Sequence, residues 1–176
     1  MGLIQTVDPE QAEGKVKEAY DFFKQAIGTI PTPMMLLSAS PDLFEQKLQS
    51  LTYYRQHPTL SFALLSSIRY LVSTIYDINF CVKFNEDFLK KQGLTKEDIQ
   101  AMADNPQSAP LDDKDRAMLA FVVKAVKDSD SVAKADIDQL YVMGWTDRDI
   151  IDAMAQAANM IGNGVLLKTF KMDTTC

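Results

Sequence analysis

Apolar residues recur at helical spacing along nearly the whole chain, and prolines, glycines and polar helix-start residues divide the pattern into segments. Asp8-Pro9-Glu10-Gln11 combines an N-cap residue, a proline suited to the first helical position and a box-like Gln. Val16, Tyr20, Phe23 and Ile27 follow on one face, so the spacing predicts a first helix from this signal to about Gly28. Ile30-Pro31-Thr32-Pro33 is expected to interrupt it. Ser40-Pro41-Asp42 restarts a helix with Phe44, Leu48, Leu51 and Tyr54 on its apolar side, and His57-Pro58 ends that helix. From Ser61 to Tyr76 the apolar face is Leu64, Ile68, Leu71 or Val72, and Ile75. Asp77 or Asn79 is then expected to cap a helix that carries Phe80, Phe84 and Phe88 and stops at Gly93.

Two later segments echo each other. DFLKKQGLTKEDI from Asp87 and DQLYVMGWTDRDI from Asp138 share D-x-L-x-x-x-G-x-T-x-x-D-I. In each, Gly reads as a helix stop and Thr-x-x-Asp as the next helix start, which predicts helix, tight turn, helix twice over. Repeated capping physics or an ancestral duplication of a helical hairpin accounts for the echo equally in terms of fold. Between the copies, Asp104 to Pro110 reads as a surface loop, and Asp112 to Lys127 as a helix with Met118, Phe121, Val122 and Ala125 inward. Gly162-Asn163-Gly164 reads as a helix break. No alternating strand pattern occurs anywhere. The expectation is an all-α, single-domain bundle of about seven or eight helices.

Composition narrows the functional classes. At 176 residues and 47% hydrophobic, the chain is long enough for one well-buried core. A net charge of −6 and a pI near 4.7 provide no basic footprint for phosphates, so no nucleic-acid partner is expected. The N-terminus, MGLIQTVDPEQ, lacks the basic start and apolar stretch of a secretory signal. The most apolar helix carries Arg69 near its middle and is too short for a bilayer, so no membrane partner is expected either. Two cysteines, one at the last position, make no disulfide framework, and a cytoplasmic location is the default. His57 is the only histidine and precedes a proline, and no His or Cys spacing supports a metal; no cofactor is indicated.

One residue suggests chemistry. Cys81 follows Tyr76-Asp77-Ile78-Asn79-Phe80, in the expected first turn of a helix, where unpaired amide dipoles favour a thiolate. The run IRYLVSTIYDINFCVKFN, from Ile68 to Asn85, resembles the core of the carboxymuconolactone decarboxylase and alkylhydroperoxidase D (AhpD-like) family. Redox-active members of that family read Glu, a long apolar spacer, Cys-x-x-Cys, then x-x-x-His. Aligned on the second family cysteine, Cys81 matches, whereas Ile78 stands at the first cysteine, Asn85 at the histidine and Ser66 at the glutamate. The resemblance covers roughly residues 60–158, including Gly144-Trp145-Thr146-Asp147-Arg148-Asp149-Ile150, with residues 1–59 as preceding helices. It implies a small all-helical protein that assembles as a homotrimer or a hexamer. Phe121, Val122, Val123 and Val126, spread around more than one side of their helix, point the same way.

In the family the second cysteine meets peroxide, the first closes a disulfide with it, and the histidine and glutamate relay protons. Only the first role transfers, onto Cys81. Asn85 can donate a hydrogen bond but cannot act as a general base. Two readings follow. In one, the chain is a thiol-dependent peroxidase or antioxidant oxidoreductase that reduces a small-molecule substrate through a Cys81 sulfenate and is released by an external thiol reductant. In the other, Cys81 is an inert core residue among Phe80, Val82 and Phe84. The region of Ser66, Cys81 and Asn85 is then a small-molecule binding or lactone-processing pocket, or the protein is an oligomeric scaffold. Cys176 is a distant candidate for a resolving thiol.

Overall fold

The computed structural model describes residues 2–173, and among these residues the chain is helical with no strand. The described residues form nine α-helices: α1 (Gly14–Ile27), α2 (Thr32–Leu37), α3 (Pro41–Arg55), α4 (Phe62–Ile75), α5 (Asn79–Lys91), α6 (Lys96–Asp104), α7 (Asp113–Lys127), α8 (Lys134–Val142) and α9 (Asp147–Thr169). The all-α expectation holds, but the helix count exceeds seven or eight because Pro31-Thr32-Pro33 opens α2 instead of only breaking a helix. A proline in the first turn forfeits no intrahelical bond, since the amides there have no partner within the helix.

The described residues fall into two compact units, 2–57 with 165–173 and 58–164. In the first, Tyr20 and Phe44 meet edge to face at 6.2 Å, in a core with Ala19, Ile30, Met34 and Leu37. The Tyr20 hydroxyl donates to the Val7 carbonyl at 3.2 Å, and the Val7 amide donates to Ser38 Oγ at 2.9 Å. The start of α1 differs from expectation. Asp8 to Gln11 forms a turn, with the Glu10 amide on Asp8 Oδ1 and the Gln11 amide on the Asp8 carbonyl, and α1 begins only at Gly14. An Asp side chain bonded two residues on offers the backbone a turn in competition with a helix.

The second unit is built around α4, which packs against α5 and α7 and is buried on nearly every side from Leu64 to Ser73. Ser61 caps α4 by accepting from the Leu64 amide, and its hydroxyl donates to Asp115 Oδ2 on α7 at 2.6 Å. Burial pushes the Asp115 carboxyl up from its ordinary range, against the Ser61 bond. The two echoing segments fold alike. Gly93 and Gly144 adopt left-handed backbone, and Thr95 with Asp98 and Thr146 with Asp149 exchange hydrogen bonds at the starts of α6 and α9. Asp149 is buried and also accepts from the Thr59 hydroxyl. On α7, Phe121, Val122 and Val123 are buried within this chain, so they provide no free apolar face for a second copy.

Gly162 and Gly164 lie inside α9, which corrects the expected break. Gly164 is there for close approach. A Cβ at this position would stand 2.6 Å from Ile78 Cγ1 and closer still to Cδ1. Ile78, just before α5, is itself only 1% exposed. Gly164→Ala is therefore expected to be net destabilising, because overpacking costs about 1–3 kcal/mol, more than the 0.5–1 kcal/mol that alanine regains in a helix. In a double-mutant cycle read by urea denaturation, Ile78→Val, which removes Cδ1 but keeps Cγ1, should offset part of the effect with a coupling of about 0.5–1 kcal/mol. Additive effects would show that the two side chains do not touch.

Candidate active site

The turn between α4 and α5 sets the geometry around the thiol. Asp77 takes the left-handed conformation (φ 51) that closes α4, and the Ile78 amide donates back to the Ser73 carbonyl at 2.9 Å. Asp77 thus ends one helix instead of capping the next, and Asn79 is already helical. The N-cap of α5 is Ile78, whose side chain makes no capping hydrogen bond. Cys81 occupies the third position of α5 and is 4% exposed. The first turn of α5 therefore has no side-chain cap from Ile78, an arrangement in which a negative sulfur gains from the helix dipole.

Ser66, Cys81 and Asn85 are all buried, and hydrogen bonds link them through a residue that the motif does not contain. Asn85 Nδ2 donates to the Cys81 carbonyl at 2.8 Å, so its amide braces the backbone at the thiol. Asn85 Oδ1 accepts from Arg69 Nε at 3.2 Å. Arg69 Nη2 donates to Ser66 Oγ at 2.9 Å, and the Ser66 hydroxyl donates to the Phe62 carbonyl at 2.8 Å. The guanidinium also lies 5.7 Å from the centre of the Phe62 ring. Arg69 forms no ion pair among the described residues. Burial pulls its guanidinium down to about 10, which leaves it charged at neutral pH.

An aromatic ridge borders this network. Phe80 stacks on Phe84 at 5.5 Å, Phe84 meets Phe88 at 5.0 Å, and Phe88 meets Phe62 across the two helices at 6.1 Å. Lys91 Nζ stands 5.7 Å from the Phe88 ring. An open depression of about 350 Å³, lined by Thr74, Asp77, Asn79, Val82, Lys83 and Glu86, lies on the other face of α5 and includes none of the predicted site residues. His57 packs edge-on against Tyr53 at 5.5 Å. No group of three or more His, Cys, Asp and Glu that could hold a metal occurs among the described residues. Among the same residues, no helix is long and apolar enough to cross a membrane. Cys176 lies outside the described residues.

Sequence reasoning placed Ser66, Cys81 and Asn85 in one region but missed Arg69 as the partner shared by Ser66 and Asn85. The available signal was its spacing from Ser66, three positions along a helix, which puts both on one face.

No family model matches the chain, and no curated protein matches it. Solved structures do. The alkylhydroperoxidase AhpD core of a peroxidase-related protein from Ralstonia eutropha JMP134 superposes with a TM-score of 0.82 at 21% identity, over 97% of this chain and 90% of that one. A peroxidase-related protein from Silicibacter sp. TM1040 gives 0.79 at 19% identity, over 95% and 90%. A cysteine-to-alanine variant of the debrominase Bmp8, in complex with 2,3,4-tribromopyrrole, gives 0.78 at 16% identity, over 98% and 90%. The chain therefore has the AhpD-like fold.

Ile78 and Cys81 stand at the N-cap and third position of one helix, the spacing of a Cys-x-x-Cys pair. Ile78→Cys is expected to form an internal disulfide on mild oxidation, removing both thiols from titration in the native protein. Persistence of both free thiols would show that this turn does not hold the pair at bonding distance.

Proposed function

We propose that the protein is a thiol-dependent oxidoreductase that reduces a small electrophile, a hydroperoxide in the first instance, with Cys81 as the nucleophile. The observation that carries this reading is the chain of hydrogen bonds from the Cys81 carbonyl through Asn85 and Arg69 to Ser66. It joins the three positions at which AhpD-like redox proteins place their reacting cysteine, histidine and glutamate, and it supplies a cation where the relay would supply a proton carrier. In the reaction, the Cys81 thiolate attacks the terminal peroxide oxygen. The S–O bond forms as the O–O bond breaks, leaving a sulfenic acid, and the departing alkoxide takes a proton from water. With Ile78 in place of a resolving cysteine, a first external thiol condenses with the sulfenic acid and releases water. A second external thiol then frees Cys81 and leaves as the external disulfide.

The debrominase with the same fold motivates a second electrophile, a brominated heteroaromatic, which belongs in any substrate panel. Peroxide treatment of the native protein should produce a sulfenic acid that a dimedone probe traps at Cys81 and that Cys81→Ser abolishes. Trapping is expected to be slow, because neither Asn85 nor Ser66 carries a proton as a base would. Equal labelling of the two proteins, or labelling only after unfolding, would exclude the reading in favour of a binding or scaffold role.

A further inference from the structure

Arg69 has five N–H donors, and the structure assigns two of them, Nε to Asn85 and one on Nη2 to Ser66. The guanidinium also lies against the Phe62 ring. Both hydrogens of Nη1 and one of Nη2 thus have no protein acceptor among the described residues. Among the described residues, no fully enclosed side-chain nitrogen or oxygen lacks a hydrogen-bond partner, so Nη1 is not fully enclosed. This is an unusual place for a charge in a protein whose net charge is −6 and which has acidic side chains to spare. A partly buried guanidinium held by neutral acceptors on one edge, with its other edge open and without a carboxylate, is a preformed half of a bidentate pair.

The walls indicate what the other half carries. Phe62 is 52% exposed and meets Phe88 edge to face, with Arg69 over one ring and Lys91 over the other. Lys91 likewise makes no ion pair among the described residues. Two cations without counter-ions among the described residues thus bracket a pair of aromatic rings, and Phe88 and Lys91 lie on α5, the helix that bears Cys81. We propose that this is an anion-recognition subsite, in which the open edge of Arg69 binds a carboxylate whose apolar body lies on Phe62 and Phe88. Resting on the thiol-dependent reading above, it identifies the substrate class as an electrophile that carries a carboxylate on an apolar or aromatic frame. Arg69 binds and positions that substrate, and the neutral pair Ser66 and Asn85 keeps the guanidinium uncompensated until it arrives.

Calorimetric titration of the full-length protein with benzoate and with the isosteric, uncharged benzamide tests the assignment. Benzoate should bind at least tenfold more tightly than benzamide to the wild-type protein. Arg69→Gln should erase the difference, and Arg69→Lys, which keeps the charge but not the fork, should retain only part of it. The wild-type comparison needs no variant to fold. Equal binding of the two ligands, no binding of benzoate at tens of millimolar, or an unchanged preference in Arg69→Gln with native circular dichroism would each overturn the proposal. Sulfenic acid trapping separates the two claims. Trapping without a benzoate preference removes the subsite and leaves the thiol chemistry, whereas a benzoate preference without trapping removes the thiol chemistry and leaves the subsite.

Discussion

The centre of the second unit depends on a positive charge placed where water cannot fully solvate it. Arg69 lies on α4, the most buried helix of that unit, and an unpaired charge in such surroundings is expensive unless its donors find acceptors. Asn85 and Ser66 supply them without supplying a counter-charge. The identities of the surrounding residues follow. Position 85 must present an oxygen to Arg69 and a donor to the Cys81 carbonyl at once, which one amide does. A histidine there would turn at best one donor and one acceptor toward the same two partners, and in its charged form would face the guanidinium. Position 66 must be small enough to leave room for the guanidinium, and its hydroxyl passes the hydrogen bond on to the backbone.

This constraint also binds two helices through polar contacts in a region otherwise held by apolar packing. Asn85 connects the α5 backbone at Cys81 to a side chain of α4, so the position of the thiol relative to α4 is fixed by geometry and not by hydrophobic contact alone. Gly164 contributes from the other side. By letting α9 lie against Ile78, it holds the residue that precedes α5, and with it the start of the helix on which the sulfur sits. Within the AhpD-like fold this chain places Cys81 in the first turn of α5, and a fold does not by itself set the chemistry of its sites.

Much of the fold was legible because capping and periodicity agreed. Ser61, Thr95, Asp112 and Thr146 all start helices by accepting amide bonds, and Gly93 and Gly144 end them. Where the reading failed, a local signal had two physical outcomes. Asp8-Pro9 serves a turn as well as a helix start, Pro31 and Pro33 admit a helix that begins at them, and two glycines in a helix can mean close packing instead of a break. The site was half legible. Ser66, Cys81 and Asn85 could be placed by motif spacing, but the motif has no arginine, and a charge within an apolar helix reads first as an obstacle to membrane insertion. Its real partners lie sixteen residues away on another helix as well as one turn back on its own. Spacing within one helix could suggest the second contact but not the first.

The most direct test of this arrangement is the NMR signal of the Arg69 Nε–H in the native protein at neutral pH, assigned by its loss in Arg69→Gln. A guanidinium held against Asn85 should give a resolved Nε–H signal, protected from exchange with water well beyond that of exposed arginines, that loses protection in Asn85→Ala. An Nε–H that exchanges as fast as in an unstructured peptide would contradict the account.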